Sequence, residues 1–321
     1  MPETKPYEEI NITAIEGVRI GSAQDYEAKT GVTVVLFNNG ATVGIDVSGG
    51  GPASRETHLA DPTTADSPVN AIMLAGGSAF GLSAADGVMR YLEEHSIGFD
   101  TGVAKVPLVC ASCIFDLGIG SATVRPDADM GYAACVDAET NKPKSGNIGA
   151  GCGASIGKIC GMDRCSESGL GIFAAQIGEL KVGAIVSLNP FGDVYDPATG
   201  KQIAGPKSAD GNGFVDTRAE LYKTIESDGS FDAFAGNTTI GIVVTNAGLS
   251  KAQMSKVASM TRNAYARCIK PVGTMFDGDT IYVASVGSIE VDINVVGTLA
   301  SECMQQAILN AVTFANLNFV N

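Results

Sequence analysis

Apolar residues along this chain fall into two periods, runs of five to eight and stripes at steps of three and four, and the two alternate. Residues 31–48 read as two strands joined at Asn39-Gly40, a dipeptide that suits a tight hairpin because both positions tolerate positive φ. The glycines Gly49 to Gly51, followed by Pro52, read as a flexible break. Ala71 to Ala75 is a buried strand. After Gly76-Gly77-Ser78 comes a helix to about His95, with Leu82, Ala85, Met89 and Leu92 inward. That strand-glycine-helix junction could hold a carboxylate on exposed amides, although close packing of helix on sheet explains the glycines as well. Residues 106–117 form another apolar run. Val182 to Leu188 is a buried strand that ends in Asn189-Pro190.

The segment 195–236 turns polar and Gly/Asp-rich and reads as a mobile connection. It leads into Gly236-Asn237-Thr238-Thr239, and then into Ile240 to Val244, a continuous apolar run that suits a strand covered on both faces. Ser250 caps a helix to about Cys268, with Met254, Val257, Thr261, Ala264 and Cys268 on one face. Phe276 to Asp279 turns into a strand at 280–285. A last helix, about 297–315, points Leu299, Cys303, Ile308 and Ala311 or Val312 inward. With no repeat and no separable linker, 1–321 reads as one α/β sandwich domain.

Composition narrows the functions. Of 321 residues 45% are hydrophobic and 17% charged, so a large core is within reach. The formal net charge of -14 lies wholly before Thr238, where 16 basic residues face 30 acidic ones; from Thr238 onward five face five. An acidic chain without a basic patch argues against nucleic acid and anionic membrane as partners. No signal core or membrane-length apolar window is present, and the expected location is the cytoplasm. The eight cysteines lack paired-ligand spacing. Cys110 and Cys113 make a lone C-x-x-C, and most of the eight read as small buried hydrophobes. Only His58 and His95 exist, which excludes a His-rich metal site and favours chemistry that needs no histidine; no metal and no cofactor are expected.

Candidate chemistry centres on Asn237-Thr238. A Thr held at a strand's start behind a strained peptide can attack the preceding carbonyl, move the acyl group from nitrogen to oxygen, and let water release it. The new terminal Thr238 would then carry a hydroxyl nucleophile and an α-amine whose reference pKa of about 7.7–8.0 suits an adjacent base. A plain strand-entry turn uses the same residues. Asn189, at the exit of a buried strand and stiffened by Pro190, could offer a side-chain N–H to an oxyanion or cap a turn. The five glycines from Gly146 to Gly157 fit neither a Walker loop nor a dinucleotide fingerprint, and let backbone approach a ligand or a second strand. Lys158 ends that stretch as its one cation; spacing favours a snorkelling surface lysine over a site residue. Asp277 and Asp279, at i and i+2, project to one side of a turn-to-strand segment, or simply make a turn. Gly-x-Ser-x-Gly is absent around Ser78.

Taken together, Asn237-Thr238-Thr239, Gly146 to Lys158, Asn189, Asp277-Gly278-Asp279, Thr30-Gly31-Val32, Gly51-Pro52 with Arg55-Glu56-Thr57, Gly76 to Leu82 and Ile114-Phe115-Asp116 resemble the L-aminopeptidase/D-amidase/D-esterase family. That family includes β-peptidyl aminopeptidases and the nylon-oligomer endo-hydrolase. The resemblance covers nearly the whole chain. It implies a four-layer α/β/β/α sandwich of the self-processing aminopeptidase/ornithine acetyltransferase type, cut between Asn237 and Thr238 into 1–237 and 238–321, the pieces staying together as a homotetramer of processed heterodimers. It implies Thr238 as nucleophile, Lys158 and Asn189 assisting cleavage and holding the oxyanion, and Asp277 and Asp279 orienting the amine. It places Phe115 and Gly151 at the substrate pocket, with Phe115 where some members carry a tyrosine hydroxyl. The implied activity is hydrolysis of small amino-terminated peptides or amides, ω-amino-acid oligomers among them, through an acyl-enzyme. An acyltransferase of the ornithine acetyltransferase type and an uncleaved, non-catalytic homologue are the alternatives.

Overall fold

The computed structural model describes residues 6–225 and 236–315. Its main strands are β1 (Val18–Asp25), β2 (Thr30–Val47), β3 (Val69–Ala75), β4 (Val109–Cys113), β5 (Leu170–Ile177), β6 (Leu180–Asn189), β7 (Thr238–Ala247) and β8 (Thr280–Ile289). The helices are α1 (Ala84–Glu94), α2 (Ala128–Asp137), α3 (Thr217–Lys223), α4 (Lys251–Cys268) and α5 (Ile293–Ala315). One path runs β5-β6-β7-β8-β2-β3-β4, with β1 beside β2 and the two-residue strands Glu8–Glu9 and Ser54–Arg55 at its ends.

The 18-residue β2 is the hinge of this path, because its first half pairs with β1 and β3 and its second half with β8. The expected hairpin at Asn39-Gly40 is therefore corrected. Gly40 does take φ +75, but the chain uses it for an irregularity, where the register against β3 slips between Leu36 and Ala41. The strand passes from one sheet to the other instead of folding back on itself; the hairpin lies one strand earlier, between β1 and β2.

Three apolar clusters define four layers. Ile20, Val35 and Ile72 meet Ile185, Ile240, Ile242 and Tyr282 between the sheet halves. On one outer face Val182, Ala184 and Val243 pack on Met254, Val257 and Tyr265 of α4 and Leu299, Met304 and Ile308 of α5. On the other, Val32, Val34 and Met73 pack on Val88, Tyr91 and Leu92 of α1 and Ala134 and Cys135 of α2. The α/β/β/α sandwich expected from the family resemblance is the observed fold. Both parallel pairs, β7 with β8 and β3 with β4, are crossovers that carry a helix, α4 and α1 respectively, which puts those helices outside the sheets.

Strand β7 is buried on both faces, with Ile240, Ile242 and Val244 toward the other sheet and Val243 and Ala247 toward the helices. Helix α4 starts where Ser250 accepts from the Gln253 N–H and Gln253 bonds back, a full capping box. All five of its predicted inward residues are buried, and each large one contributes about 1.5–3 kcal/mol by leaving water. In α1 the inward set shifts: Ala85 and Leu92 are buried as expected, but Val88 and Tyr91 carry the face and Met89 is half-buried. The polar segment after Tyr195 is more ordered than expected. Asp193–Tyr195, Gln202–Ala204 and Ile269–Lys270 make a small sheet, and Asp216 caps α3. Residues 226–235, the rest of the proposed connection, lie outside the described residues.

Candidate active site at the head of strand β7

Thr238 opens β7, and Asn189 closes the neighbouring β6 directly opposite it in the antiparallel register. Thr238 is 5% exposed. Its hydroxyl lies 2.5 Å from the carbonyl oxygen of Asn237, the residue it would attack. The same oxygen accepts the Gly278 N–H at 2.9 Å. Asn237 and Asp277 form a parallel bridge, so the Asp277-Gly278-Asp279 turn runs alongside the Asn237–Thr238 peptide.

Asn189 is oriented by its neighbours. Its Oδ1 accepts from the Ser155 N–H at 3.0 Å and from Lys158 Nζ at 2.9 Å. Two donors on one side of the amide force its N–H₂ to the other, where it donates to the carbonyls of Phe115 at 3.1 Å and Gly236 at 3.3 Å. The side chain faces the cut region as expected, but its donors serve Gly236, one residue before the Asn237 carbonyl.

Lys158 is not a surface lysine. It is 5% exposed, and its Nζ also donates to the carbonyls of Ser155, Asn189 and Pro190. No described carboxylate pairs with it. Burial pushes its amine down to about 7, against weaker opposing effects of Cys165 and Asp277. Spacing misled here because it carries no depth: Lys158 lies at the start of the connection between the paired strands Ser155–Ile156 and Ser166–Glu167.

The aspartates hold backbone. Asp279 accepts from the Thr239 N–H at 2.7 Å and the Gly273 N–H at 3.1 Å. Burial, and then the neighbouring Asp277, push its carboxyl up. Asp277 accepts from the Phe191 N–H at 3.1 Å and from the Thr274 N–H and hydroxyl at 2.9 and 2.7 Å. Both fix the loop and strand around Thr238, whose nitrogen is part of a peptide bond.

Other expectations sort by position. Phe115 offers its carbonyl to Asn189. Gly151 serves packing, since a Cβ there would stand 2.0 Å from the Leu170 nitrogen, so the Gly-rich stretch approaches a second strand. The amide after Gly76 does hold a carboxylate, the chain's own Asp116, at 2.7 Å. His95 stacks on Tyr91 and His58 is exposed. Six cysteines are buried; Cys160 and Cys165 are half-buried. Among the described residues no cluster of three or more His, Cys, Asp or Glu is set to hold a metal, and no helix is long and apolar enough to cross a membrane.

Sequence reasoning passed over Gly278 as a donor and the Gly49–Gly51 segment. The available signal was a glycine between two aspartates, and a triple glycine followed by proline.

Residues 11–318 match Peptidase family S58. The chain belongs to this family. A relative named as an uncharacterized aminopeptidase of Mycobacterium tuberculosis is 36% identical, covering 94% of this chain and 93% of its own length. The 6-aminohexanoate-oligomer endohydrolase of Kocuria sp. is 31% identical, covering 92% of this chain and 84% of that enzyme. Among solved structures, the β-aminopeptidase of Burkholderia sp. matches with a TM-score of 0.68 at 18% identity, over 94% of this chain and 85% of that one. The L-aminopeptidase D-Ala-esterase/amidase of Ochrobactrum anthropi, described as a variant of the N-terminal-nucleophile hydrolase fold, matches with a TM-score of 0.67 at 15% identity, over 95% and 86%. At those identities the structures speak for the fold. Family and relatives together make this S58 member a peptide or amide hydrolase.

Proposed function

We propose that the chain cuts itself between Asn237 and Thr238 and then hydrolyses small amino-terminated peptides or amides, ω-amino-acid oligomers included, with Thr238 as nucleophile. The observation that carries this reading is the Thr238 hydroxyl lying against the carbonyl it would attack, 2.5 Å from its oxygen. Attack by Oγ on the Asn237 carbonyl carbon breaks the peptide C–N bond and forms an ester, the hydroxyl proton passing to the departing nitrogen. Water then cleaves the ester, leaving an Asn237 carboxylate and a terminal Thr238. The freed α-amine is the base for the next attack, on a substrate amide, which fits a site without histidine. Asp279, bonded to the Thr239 N–H at 2.7 Å, keeps the strand head in place through both reactions. Lys158 keeps the Asn189 amide turned so that, once Gly236 withdraws, its N–H₂ is open to substrate.

Thr238→Ala should remain one band on a denaturing gel, with the uncut intact mass, and show no amidase activity. If that variant still splits, the nucleophile is another residue. Product masses with and without an added amine acceptor separate hydrolysis from acyl transfer. The same reading takes the assembled enzyme as a tetramer of cut pairs, which light scattering measures.

A further inference from the structure

Any attack on a carbonyl needs a donor for the negative charge that grows on its oxygen. In the uncut chain Asn189 does not fill that role for Asn237, because its N–H₂ donates to the carbonyls of Phe115 and Gly236. The backbone N–H that does reach the Asn237 oxygen belongs to Gly278, at 2.9 Å. Gly278 can come this close only because it lacks a side chain: a Cβ would stand 2.7 Å from Thr238 Oγ1 and 2.8 Å from the Gly51 carbonyl.

The turn carrying that N–H is strapped down. The N–H groups of Ser48 and Gly49 donate to the Asp279 carbonyl at 3.0 and 3.2 Å, Gly50 to Thr274 at 3.1 Å and Gly51 to Asp277 at 2.9 Å. A Cβ on Gly49 would meet the Asp279 nitrogen at 2.3 Å, so strap and turn lie backbone on backbone. The segment that reads as a flexible break is a clamp. From the other side, the Asp277 carboxylate ties the turn to Phe191 and Thr274.

We propose that the Gly278 N–H is the oxyanion donor for the self-cleavage at Asn237, held on target by the Gly49–Gly51 strap, and that it serves again in substrate hydrolysis. The second use follows from the first: an acyl group on Thr238 Oγ hangs from the same atom as the Asn237 acyl group in the ester, so its carbonyl returns to the same N–H. Asn189, released from Gly236 by the cut, then adds a second donor. This inference rests on the proposed self-cleavage.

The test removes the N–H without adding a side chain. The full chain is made by cell-free translation with glycolic acid at position 278, which replaces the N–H by an ester oxygen. The control carries glycolic acid at position 51, which breaks the strap bond to the Asp277 carbonyl and leaves the Gly278 N–H intact. Cleavage is followed by intact mass in chains that keep a cooperative melt. The ester at 278 should slow cleavage by about 10²–10³-fold, and the ester at 51 by less than tenfold. If the ester at 278 cleaves within tenfold of the natural chain, or no more slowly than the ester at 51, the donor assignment is overturned. A Thr238→Ala chain that still splits would instead sink the self-cleavage reading itself, so the two failures are distinct.

Discussion

Lys158 buries a cationic side chain among backbone carbonyls, and its stability should therefore follow pH in a direction opposite to that of an ordinary salt bridge. Burial lowers its amine to about 7 from the ordinary lysine value of 10.5. Below pH 7 both folded and unfolded chains hold the proton, and folding pays the full cost of desolvating it. Between 7 and 10.5 only the unfolded chain holds it, so stability rises with pH, approaching 1.4 kcal/mol per unit and amounting to about 2 kcal/mol between pH 7 and 9. Lys158→Met keeps an unbranched side chain one atom shorter and removes the titration. Both forms are best studied on a Thr238→Ala background, so that cutting does not intervene. Urea unfolding at pH 7, 8 and 9 should show the lysine form gaining on the methionine form by that amount. Parallel stabilities across the range would refute the reasoning. They would mean that the carbonyls of Ser155, Asn189 and Pro190 and the Asn189 Oδ1 solvate the ammonium as well as water does.

Three further outcomes are expected. Gly278→Ala must push the turn back by roughly half an ångström or more to relieve a 2.7 Å contact with Thr238 Oγ1; this carries the Gly278 N–H out of range of Asn237, and self-cleavage, timed by intact mass, should slow at least ~10²-fold. Asn189→Ala leaves the Gly278 contact to the Asn237 carbonyl in place, so kcat/KM on an amino-acyl anilide should fall further than the cleavage rate; equal losses would contradict the division of donors. Ser250→Ala removes the cap of α4 and should cost about 1 kcal/mol in a thermal melt.

Period and punctuation made much of the fold legible. A continuous apolar run after Asn-Thr-Thr marked β7 as doubly covered, and Ser250 marked the start of α4, since both signals are local. What failed was long-range. Asn39-Gly40 has hairpin chemistry, but β8 and β3 offered partners on opposite halves of one strand, and pairing with them outcompeted a fold-back. Lys158 and Gly49–Gly51 were misread for the same reason: depth and partner depend on segments about 30 and 230 residues away, Asn189 and the Asp277 turn. Asp277 and Asp279 were legible as a pair, but not as backbone holders, because the N–H groups they accept from belong to Phe191, Thr239, Gly273 and Thr274.

A cut at the head of a central strand invites the question whether the fold survives it, and the pairing of β7 answers on the Thr238 side. Thr238 onward is locked: β7 pairs with β6 over eight register positions, from Asn189 opposite Thr238 to Val182 opposite Thr245, and with β8 on its other edge. With the proposed cut, β6 would belong to the piece before it and β8 to the piece after it, and α4 and α5 cover both through one shared apolar cluster. Separating such pieces would expose that cluster, so they should stay together without the peptide bond. On the Asn237 side the described contacts include the Gly278 N–H and the Thr238 hydroxyl to its carbonyl, its own amide to the Phe276 carbonyl, the bridge to Asp277 and the Asn189 contact to Gly236. At about 0.5–1.5 kcal/mol per hydrogen bond, these contacts are weak beside the paired and covered strand that begins at Thr238. The proposed cut would therefore fall at the edge of the β7 ladder, whereas the same cut a few residues later, inside it, would break the sheet.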